Sequence, residues 1–483
     1  YYLVQGRRDL AVEELFTFRE GAEPELQKKV DGIIAGILGM YVEVNVPNWF
    51  AAVGSEVEVE LQCLLRLDYP VKVGRVSWNG KEEQLNASLE RDVAFLRKNR
   101  LKLRQSSNPY WLQAPFDALF DVPHSLIGLP ENPPTPFVDV DFEYDGKTFT
   151  LRSAVQYKWS DRVEGELRRP FVTAPKVTVN FEESSLVTSG QAVELALSVR
   201  SWINDYHDNL RLELPEGWKV KPEFMPIDIA NAGEEQRLEM TLYPPMQNSQ
   251  GTIRPVLGNQ KARLRSALEI DYPHIRQEVL FLPSELKVAN ARITIDPGLV
   301  GYIEGAGDAV PEALRSMGFE VEMLDEERIR NGHLEEYLAI VAGIRAYNTN
   351  EWLPDVQDRL MRYVEEGGNY IVQYNTRSRD LKLDSFGPYP MKLSRNRVTE
   401  EDAVAKIVDP TSDIFLRPNR ITQSDFEGWV QERGLYFADE ESLDPAYQVL
   451  LSWNDKDEPP RLGGLILAHH GDGCFMYTGI SFF

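Results

Sequence analysis

The spacing of apolar residues changes once along the chain, and this change constrains the fold more than any other feature. Between residues 41 and 272, apolar and polar residues alternate over short runs, as in Glu56-Val-Glu-Val-Glu-Leu-Gln-Cys63. A two-residue period is typical of half-buried antiparallel strands. Over the last 200 residues or so, strand-length apolar runs alternate with segments of helical spacing, which is typical of an α/β layer with parallel strands.

The sequence therefore predicts a multidomain chain with two β-sandwich domains followed by a doubly wound α/β domain. Its 483 residues suggest about three domains. The predicted segments are a helical lead-in (1–40), β-sandwich 1 (41–172), β-sandwich 2 of immunoglobulin or fibronectin type (173–275) and the flavodoxin-like or amidotransferase-like α/β domain (276–483). We expect the lead-in helices either to trail an upstream domain or to pack on the next one. Asn79-Gly80 and Asp145-Gly146 each predict a hairpin with a type I′ turn.

Charge and composition exclude several functional classes. A formal net charge of −24 and a pI near 4.8 argue against binding to nucleic acid or to an anionic membrane surface. No apolar run approaches the roughly 18 residues that a membrane span needs. Because the opening residues show no signal peptide, we interpret the chain as a mature or truncated piece of a periplasmic, extracellular or cell-surface protein. The two cysteines, Cys63 and Cys474, are predicted to be unpaired thiols in apolar strands.

Polar residues follow two apolar runs of the predicted α/β domain, residues 338–344 and 370–372. Parallel strands deliver such residues to the carboxyl edge of a sheet, where open α/β sheets bind ligands. The candidate ligand-binding residues there are Arg345, Tyr347, Asn348, Gln373 and Asn375. They suit recognition of sugar hydroxyls or a carboxylate, and a binding cleft and a rigid polar network both remain open. The turn after the second run offers Tyr374-Asn375 and no Cys or Ser, so acyl transfer is not expected there.

A second candidate segment is Asp425–Phe437, whose mix of aromatic and charged residues fits neither helical nor strand periodicity. The segment could line a binding site, with Trp429, Gln431 and Arg433 as candidate ligand-binding residues and with Trp429 and Tyr436 as stacking faces. Alternatively, Arg433 could form a buried network with carboxylates that braces a long loop.

Motifs for metals and for other chemistry are weak. His469 and His470 are adjacent, so on a strand they point to opposite faces and cannot readily bind one ion. Asp308 follows a glycine-containing turn, and its simplest role is to cap a helix. The paired carboxylates Asp161 and Glu166 suggest a glycosidase, but a solvated or ion-paired turn is the favoured interpretation.

Several of these motifs resemble one protein family. They are Gly343-Ile-Arg-Ala-Tyr-Asn348, Gln373-Tyr-Asn375, Arg397-Val-Thr399 and Asp425-Phe-x-Gly-Trp-Val-Gln-Glu-Arg-Gly-Leu-Tyr436. Together they are similar to the C-terminal, non-catalytic portion of a large bacterial PIG-L-family deacetylase of the Bacteroidota type. The resemblance implies β-sandwich modules and a class I glutamine amidotransferase-like domain, and it adds Arg397 to the candidate ligand-binding residues.

The family's catalytic motifs are missing from this sequence. Neither the His-Pro-Asp-Asp run that binds zinc nor the amidotransferase cysteine is present. The resemblance thus implies no catalytic residue, metal ligand or cofactor in this chain, with zinc only in a separate N-terminal deacetylase domain. The expected function is that of an accessory region of a sugar de-N-acetylase, binding a glycan or a protein partner. A structural subunit of a cell-envelope complex, with envelope proteins as partners, is the alternative, and a hydrolase of unusual type is a weaker third possibility.

Overall fold

The computed structural model describes residues 6–114, 119–133, 136–258, 263–383, 385–427 and 433–481. The protein is rich in β-structure, with 42% of residues in strands and 17% in helices. It divides into two compact units. One comprises Tyr1–Ser184, Val193–Leu242 and Gly251–Lys287, and the other comprises Ser185–Ala192, Tyr243–Gln250 and Val288–Phe483. Within the described part of the chain, no helix is both long enough and apolar enough to cross a membrane.

Two helices open the described chain, as their apolar spacing predicts. They are α1 (Arg8–Glu20) and α2 (Pro24–Leu38). The helix α2 ends at Gly39, which has a left-handed conformation with φ of 72°. Phe16 meets Phe149 of the following sheet edge to face at 6.0 Å, and both residues belong to one buried cluster. The lead-in helices therefore pack on the first sheet region.

Eight strands of the first β-region form one sheet, in the order β5-β4-β7-β8-β1-β3-β6 with β9 paired to β8. The strands of this region are β1 (Met40–Val46), β2 (Phe50–Ala52), β3 (Glu56–Leu65), β4 (Val71–Trp78), β5 (Lys81–Ser88), β6 (Phe95–Lys102), β7 (Phe137–Tyr144), β8 (Lys147–Asp161), β9 (Gly165–Pro170) and β10 (Val172–Ala174). The long strand β8 pairs with β7 over its first half and with β1 and β9 over its second. Residues from both halves, such as Phe149 and Val155, pack in one buried core.

Both predicted hairpin turns of this region are confirmed. Asn79 and Gly80 have φ of 50° and 93°, and Asp145 and Gly146 have φ of 47° and 72°. Two successive positive φ angles define a type I′ turn, which the Asn-Gly and Asp-Gly pairs favour. The turns connect β4 to β5 and β7 to β8.

The next region contains eleven strands in three sheets. They are β11 (Val177–Phe181), β12 (Ser185–Thr188), β13 (Val193–Ser201), β14 (Tyr206–Glu213), β15 (Lys219–Lys221), β16 (Met225–Ile229), β17 (Glu235–Tyr243), β18 (Ser249–Leu257), β19 (Arg265–Ile270), β20 (Glu278–Pro283) and β21 (Leu286–Asn290). The sheet orders are β11-β13-β17-β15, β12-β21-β18-β14-β16 and β19-β20. In β13, buried positions alternate with more exposed ones, in agreement with the two-residue period of the sequence.

In the last region, strands and helices alternate up to residue 373, and strands predominate after it. Its elements are β22 (Leu299–Ile303), α3 (Val310–Met317), β23 (Glu320–Met323), α4 (Glu326–Asn331), β24 (Tyr337–Ala342), α5 (Ala346–Thr349), α6 (Gln357–Glu365), β25 (Asn369–Gln373), β26 (Lys406–Ile407), α7 (Asp413–Leu416), β27 (Gln448–Val449), β28 (Leu451–Ser452), β29 (Leu465–His470) and β30 (Gly473–Thr478). Seven strands form a mixed sheet in the order β23-β22-β24-β25-β30-β29-β27. The first five strands of that order are parallel, and β29 and β27 run antiparallel to their neighbours.

Successive residues of β24 enter different apolar clusters. Ile340 and Ala342 pack in the cluster that contains Leu360 of α6, whereas Val341 packs with Leu314 of α3. Since neighbouring side chains of a strand point to opposite faces, α6 and α3 cover opposite faces of the sheet.

Candidate ligand-binding edge

The strand order reverses direction between β22 and β24. After β22 the chain passes through α3 to β23 on one side, and it then places β24 on the other side of β22. In open α/β sheets, the crevice beyond the carboxyl ends of two such strands is the usual ligand site. The loops that follow these strands, 304–309 and 343–345, therefore define the candidate site, which we call the switch-point edge together with the neighbouring loop 374–379.

Backbone hydrogen bonds hold the three loops of the switch-point edge together. Ala306 N–H donates to the carbonyl of Ile344 at 2.8 Å, and Arg345 N–H donates to the carbonyl of Tyr374 at 2.8 Å. Gly305 allows the first contact, because a Cβ at this residue would lie 2.0 Å from the Ile344 carbonyl oxygen. The edge is consequently a closely fitted surface rather than an open set of loops.

Arg345 occupies the sharp turn between β24 and α5. Its φ of 58° and ψ of 19° are left-handed, a conformation that few residues other than glycine adopt. A strained turn between a strand and a helix is where α/β-hydrolases expose their nucleophile. The turn after β25 offers no Cys or Ser, and the left-handed residue follows β24. At this position the chain presents a guanidinium group, which binds anions and hydrogen-bond acceptors.

The Arg345 side chain is half-buried. Its Nε atom is inaccessible to solvent and has no hydrogen-bond partner among the described residues. The guanidinium also makes no ion pair within the described ranges. Nε of Arg169, Arg254, Arg359 and Arg461 is likewise buried without a hydrogen-bond partner among the described residues, so this feature is shared with other arginines.

The amide side chains of the edge are buried and make hydrogen bonds within the chain. Asn348, Gln373 and Asn375 are 6%, 3% and 0% exposed. Asn348 donates to the carbonyl of Thr376 at 3.0 Å and accepts from Thr376 N–H at 2.9 Å. Asn375 accepts from Tyr347 N–H at 2.9 Å and donates to the Gln373 carbonyl at 2.9 Å. These contacts hold the segment that carries Arg345 against the loop that follows β25.

Tyr347 extends into the core beside α6. Its hydroxyl lies 2.6 Å from Gln357 Oε1 and 2.8 Å from the hydroxyl of Tyr370, and its ring stacks on Phe386 at 4.8 Å. Burial, reinforced by the neighbouring Tyr370, raises the pKa of Tyr347 well above its usual value. Tyr347 therefore anchors α5 from below the switch-point edge.

Tyr302 and Asp308 complete this network, and the sequence did not single out Tyr302. The Tyr302 hydroxyl donates to the Asp308 carboxylate at 2.5 Å and accepts from Gln373 Nε2 at 3.0 Å. Asp308 also accepts from Val310 N–H at 3.0 Å and from Ile344 N–H at 3.2 Å. Burial, together with the Asp308 carboxylate, raises the pKa of Tyr302. The N-cap of α3 is Ala309 and not Asp308 as predicted, and the Asp308 carboxylate instead bridges the loops that follow β22 and β24.

Two further arginines lie on the loop after β25. Arg377 and Arg379 are exposed, and neither has an ion-pair partner in the ranges that the structure describes. They come directly after Thr376, which the Asn348 amide holds. The sequence pattern Arg377-Ser-Arg379, just beyond the apolar run 370–372, could have identified these two arginines as candidate ligand-binding residues.

The remaining candidate residues lie in other segments. Arg397 is exposed. Burial alone would raise the pKa of Asp455, but hydrogen bonds from Glu400 and Thr399 and the charge of Arg397 together lower that pKa below its usual value. Arg433 is 4% exposed and donates from Nε to the Ala403 carbonyl at 3.0 Å. Burial lowers the pKa of Arg433.

A bridge between Val398 and Gly434 joins the two segments that carry Arg397 and Arg433. The described contacts of Arg433 include the Ala403 carbonyl, and the carboxylate network stays a prediction. Trp429 and Gln431 lie outside the described residues.

Thiols and metal ligands are dispersed. Cys63 and Cys474 are unpaired, and burial raises their pKa values to about 12 and about 11. Over the described ranges, no group of three or more His, Cys, Asp or Glu side chains is placed to hold a metal ion.

Comparisons with known proteins give distant similarities only. No protein-family model matches the chain, and no curated protein matches it. Among solved structures, WR4, an MSP family member from C. elegans, is 10% identical over 24% of this chain and 98% of its own, with a TM-score of 0.14. Two structures of Salmonella alpha-2-macroglobulin, one a mutant and one reacted with methylamine, are 9% identical over 52% of this chain, with TM-scores of 0.19 and 0.18. The chain spans 16% of those two macroglobulin chains.

Proposed function

We propose that this chain is an accessory binding region that holds a glycan at the switch-point edge. The observation that carries the proposal is Arg345, a half-buried cation on a left-handed strand-to-helix turn that forms no ion pair within the described ranges. A cation at the position where related turns carry a nucleophile suits binding rather than bond cleavage.

The surroundings of Arg345 suit a carbohydrate. The rings of Tyr374 and Tyr436 stack with centroids 6.0 Å apart and planes 9° apart, and Tyr374 is half-buried on the loop that contacts Arg345. Aromatic rings pack against the apolar faces of ligands, and neighbouring polar groups fix ligand orientation. The buried amides Asn348 and Asn375 keep both loops in place, so the site is formed before the ligand arrives.

We further propose that residues 276–483 have the doubly wound α/β layout of an amidotransferase-like domain. The parallel strands β22 to β25 with β30 and the helices α3 and α6 on opposite faces support this interpretation. In this view the chain serves a PIG-L-type sugar de-N-acetylase of the periplasm or cell surface, and the zinc belongs to a separate deacetylase domain.

A glycan array followed by calorimetry tests the proposal. The wild-type chain is expected to bind at least one glycan. The Arg345→Ala variant should bind that glycan about tenfold more weakly, because one charged hydrogen-bonding contact is lost. Arg66→Ala is the matched control, since Arg66 is an exposed arginine of the first β-region. Absence of binding to any glycan, or equal binding by the Arg345→Ala variant, contradicts the proposal.

A structural role in an envelope complex makes a different prediction for the same experiment. In that case the chain would bind no glycan and would be recovered from its native source with envelope proteins. A pull-down with the wild-type chain and the Arg345→Ala variant separates the two functions, because assembly through other surfaces would not depend on Arg345.

A further inference from the structure

Three arginines without ion-pair partners in the described ranges lie on adjacent loops of the switch-point edge. Arg345 follows β24, and Arg377 and Arg379 follow β25. The loops are joined by the Arg345 N–H to Tyr374 carbonyl bond of 2.8 Å. The three arginines therefore lie on two loops that are joined to each other, in a chain whose net charge is −24.

No carboxylate of these loops forms an ion pair with Arg345, Arg377 or Arg379 among the described residues. The carboxylate of Asp308 is engaged by Tyr302, Val310 N–H and Ile344 N–H. Glu304 and Asp380 are exposed, and neither forms an ion pair with another described residue. An anion that binds at this edge gains a favourable interaction with each guanidinium that it reaches.

From this arrangement we infer that the glycan of the switch-point edge is anionic, with its acidic groups bound by Arg345, Arg377 and Arg379. The inference rests on the proposed glycan-binding function and adds the chemical class of the ligand. Guanidinium groups match the planar, two-oxygen geometry of carboxylates and also bind sulfate oxygens. A sugar with a carboxylate or sulfate group is the chemistry that this edge would recognise.

A series of matched oligosaccharides tests the charge requirement. Oligogalacturonate, its methyl ester of equal length and a sulfated oligosaccharide are titrated calorimetrically into the wild-type chain. Oligogalacturonate should bind at least about tenfold more tightly than the ester, which keeps the sugar backbone and lacks the charge. Its affinity should fall as salt is added, because exposed charges are screened.

Variants assign the charge requirement to these arginines. Arg377→Ala combined with Arg379→Ala should weaken oligogalacturonate binding about tenfold or more, as should Arg345→Ala, whereas Arg66→Ala should leave it unchanged. Because Arg377 and Arg379 are exposed, their removal leaves the fold intact, which circular dichroism checks.

The possible outcomes separate the inference from the proposed function. Preference for oligogalacturonate, or for the sulfated oligosaccharide, supports the inference and identifies the acidic group. Equal affinity for the acid and its methyl ester overturns the inference but leaves glycan binding in place. Failure of every oligosaccharide and of the glycan array to bind overturns both.

Discussion

At the scale of single residues, Arg345 combines a left-handed backbone with a half-buried cation. For a residue with a side chain, this conformation costs about 1–2 kcal/mol. Such strain is retained where the position has a function. If Arg345 is kept for its guanidinium, the protein tolerates that conformational cost in exchange for a cation at the switch-point edge.

The Arg345→Gly and Arg345→Ala variants separate strain from charge. Both remove the cation, but only glycine adopts the left-handed conformation without steric cost. We expect the Gly variant to be more stable than the Ala variant by about 1 kcal/mol, and both to lose ligand affinity. Urea unfolding measures the difference. Equal stability of the two variants would show that the turn is not strained.

Gly305 sets the distance between the loops that follow β22 and β24. In the Gly305→Ala variant, the new methyl group would lie 2.0 Å from the Ile344 carbonyl oxygen and 2.9 Å from Ala346 N. The loops must move apart, so the free energy of unfolding should fall by about 1–3 kcal/mol and ligand binding should weaken. Calorimetry and urea unfolding provide both readouts. A variant with wild-type stability and affinity would show that this close approach is not required.

At the scale of elements, the two type I′ hairpins illustrate what local sequence determines. A Cβ on Gly80 would meet no atom within 4 Å, and neither would one on Gly32 of α2. The Gly80→Ala variant should nevertheless lose about 1 kcal/mol because φ is 93° there. The Gly32→Ala variant should gain about 1 kcal/mol because alanine favours helices. Thermal unfolding that shifts both variants in the same direction would contradict this account.

Elements governed by local chemistry were predictable from the sequence, and contacts between distant residues were not. The Asn-Gly and Asp-Gly pairs identify their turns because few other residue pairs accept two positive φ angles. The apolar run before Gly343 predicted the strand β24, and it predicted that polar residues lie at the carboxyl end of that strand. The bond between Tyr302 and Asp308, the left-handed turn at Arg345 and the contact of Arg433 with the Ala403 carbonyl depend on tertiary packing, which residue spacing along the chain does not encode.

At the scale of the whole molecule, buried tyrosines make stability depend on alkaline pH. Burial raises the pKa of Tyr363 to about 12, and it also raises the pKa values of Tyr302, Tyr347, Tyr370 and Tyr477. The folded state thus holds these protons more tightly than the unfolded chain, whose tyrosines titrate near 10. The stabilisation is complete below about pH 10 and is lost as pH rises through about 12.

Urea unfolding at a series of pH values tests this dependence. The free energy of unfolding should fall steadily above about pH 10, and phenolate absorbance should rise together with the loss of structure. Constant stability through that range, or titration of all tyrosines without unfolding, would mean that these hydroxyls are accessible to solvent in the folded protein.

The central claim is that the switch-point edge binds the ligand, and hydrogen–deuterium exchange with saturating oligogalacturonate tests it most directly. Bound ligand should slow amide exchange in loops 304–309, 343–349 and 374–379, and it should leave the hairpin turns at Gly80 and Gly146 unchanged. The Arg345→Ala variant should show a smaller effect at the same ligand concentration. Protection confined to other segments, with binding confirmed by calorimetry, would place the ligand elsewhere and contradict the account.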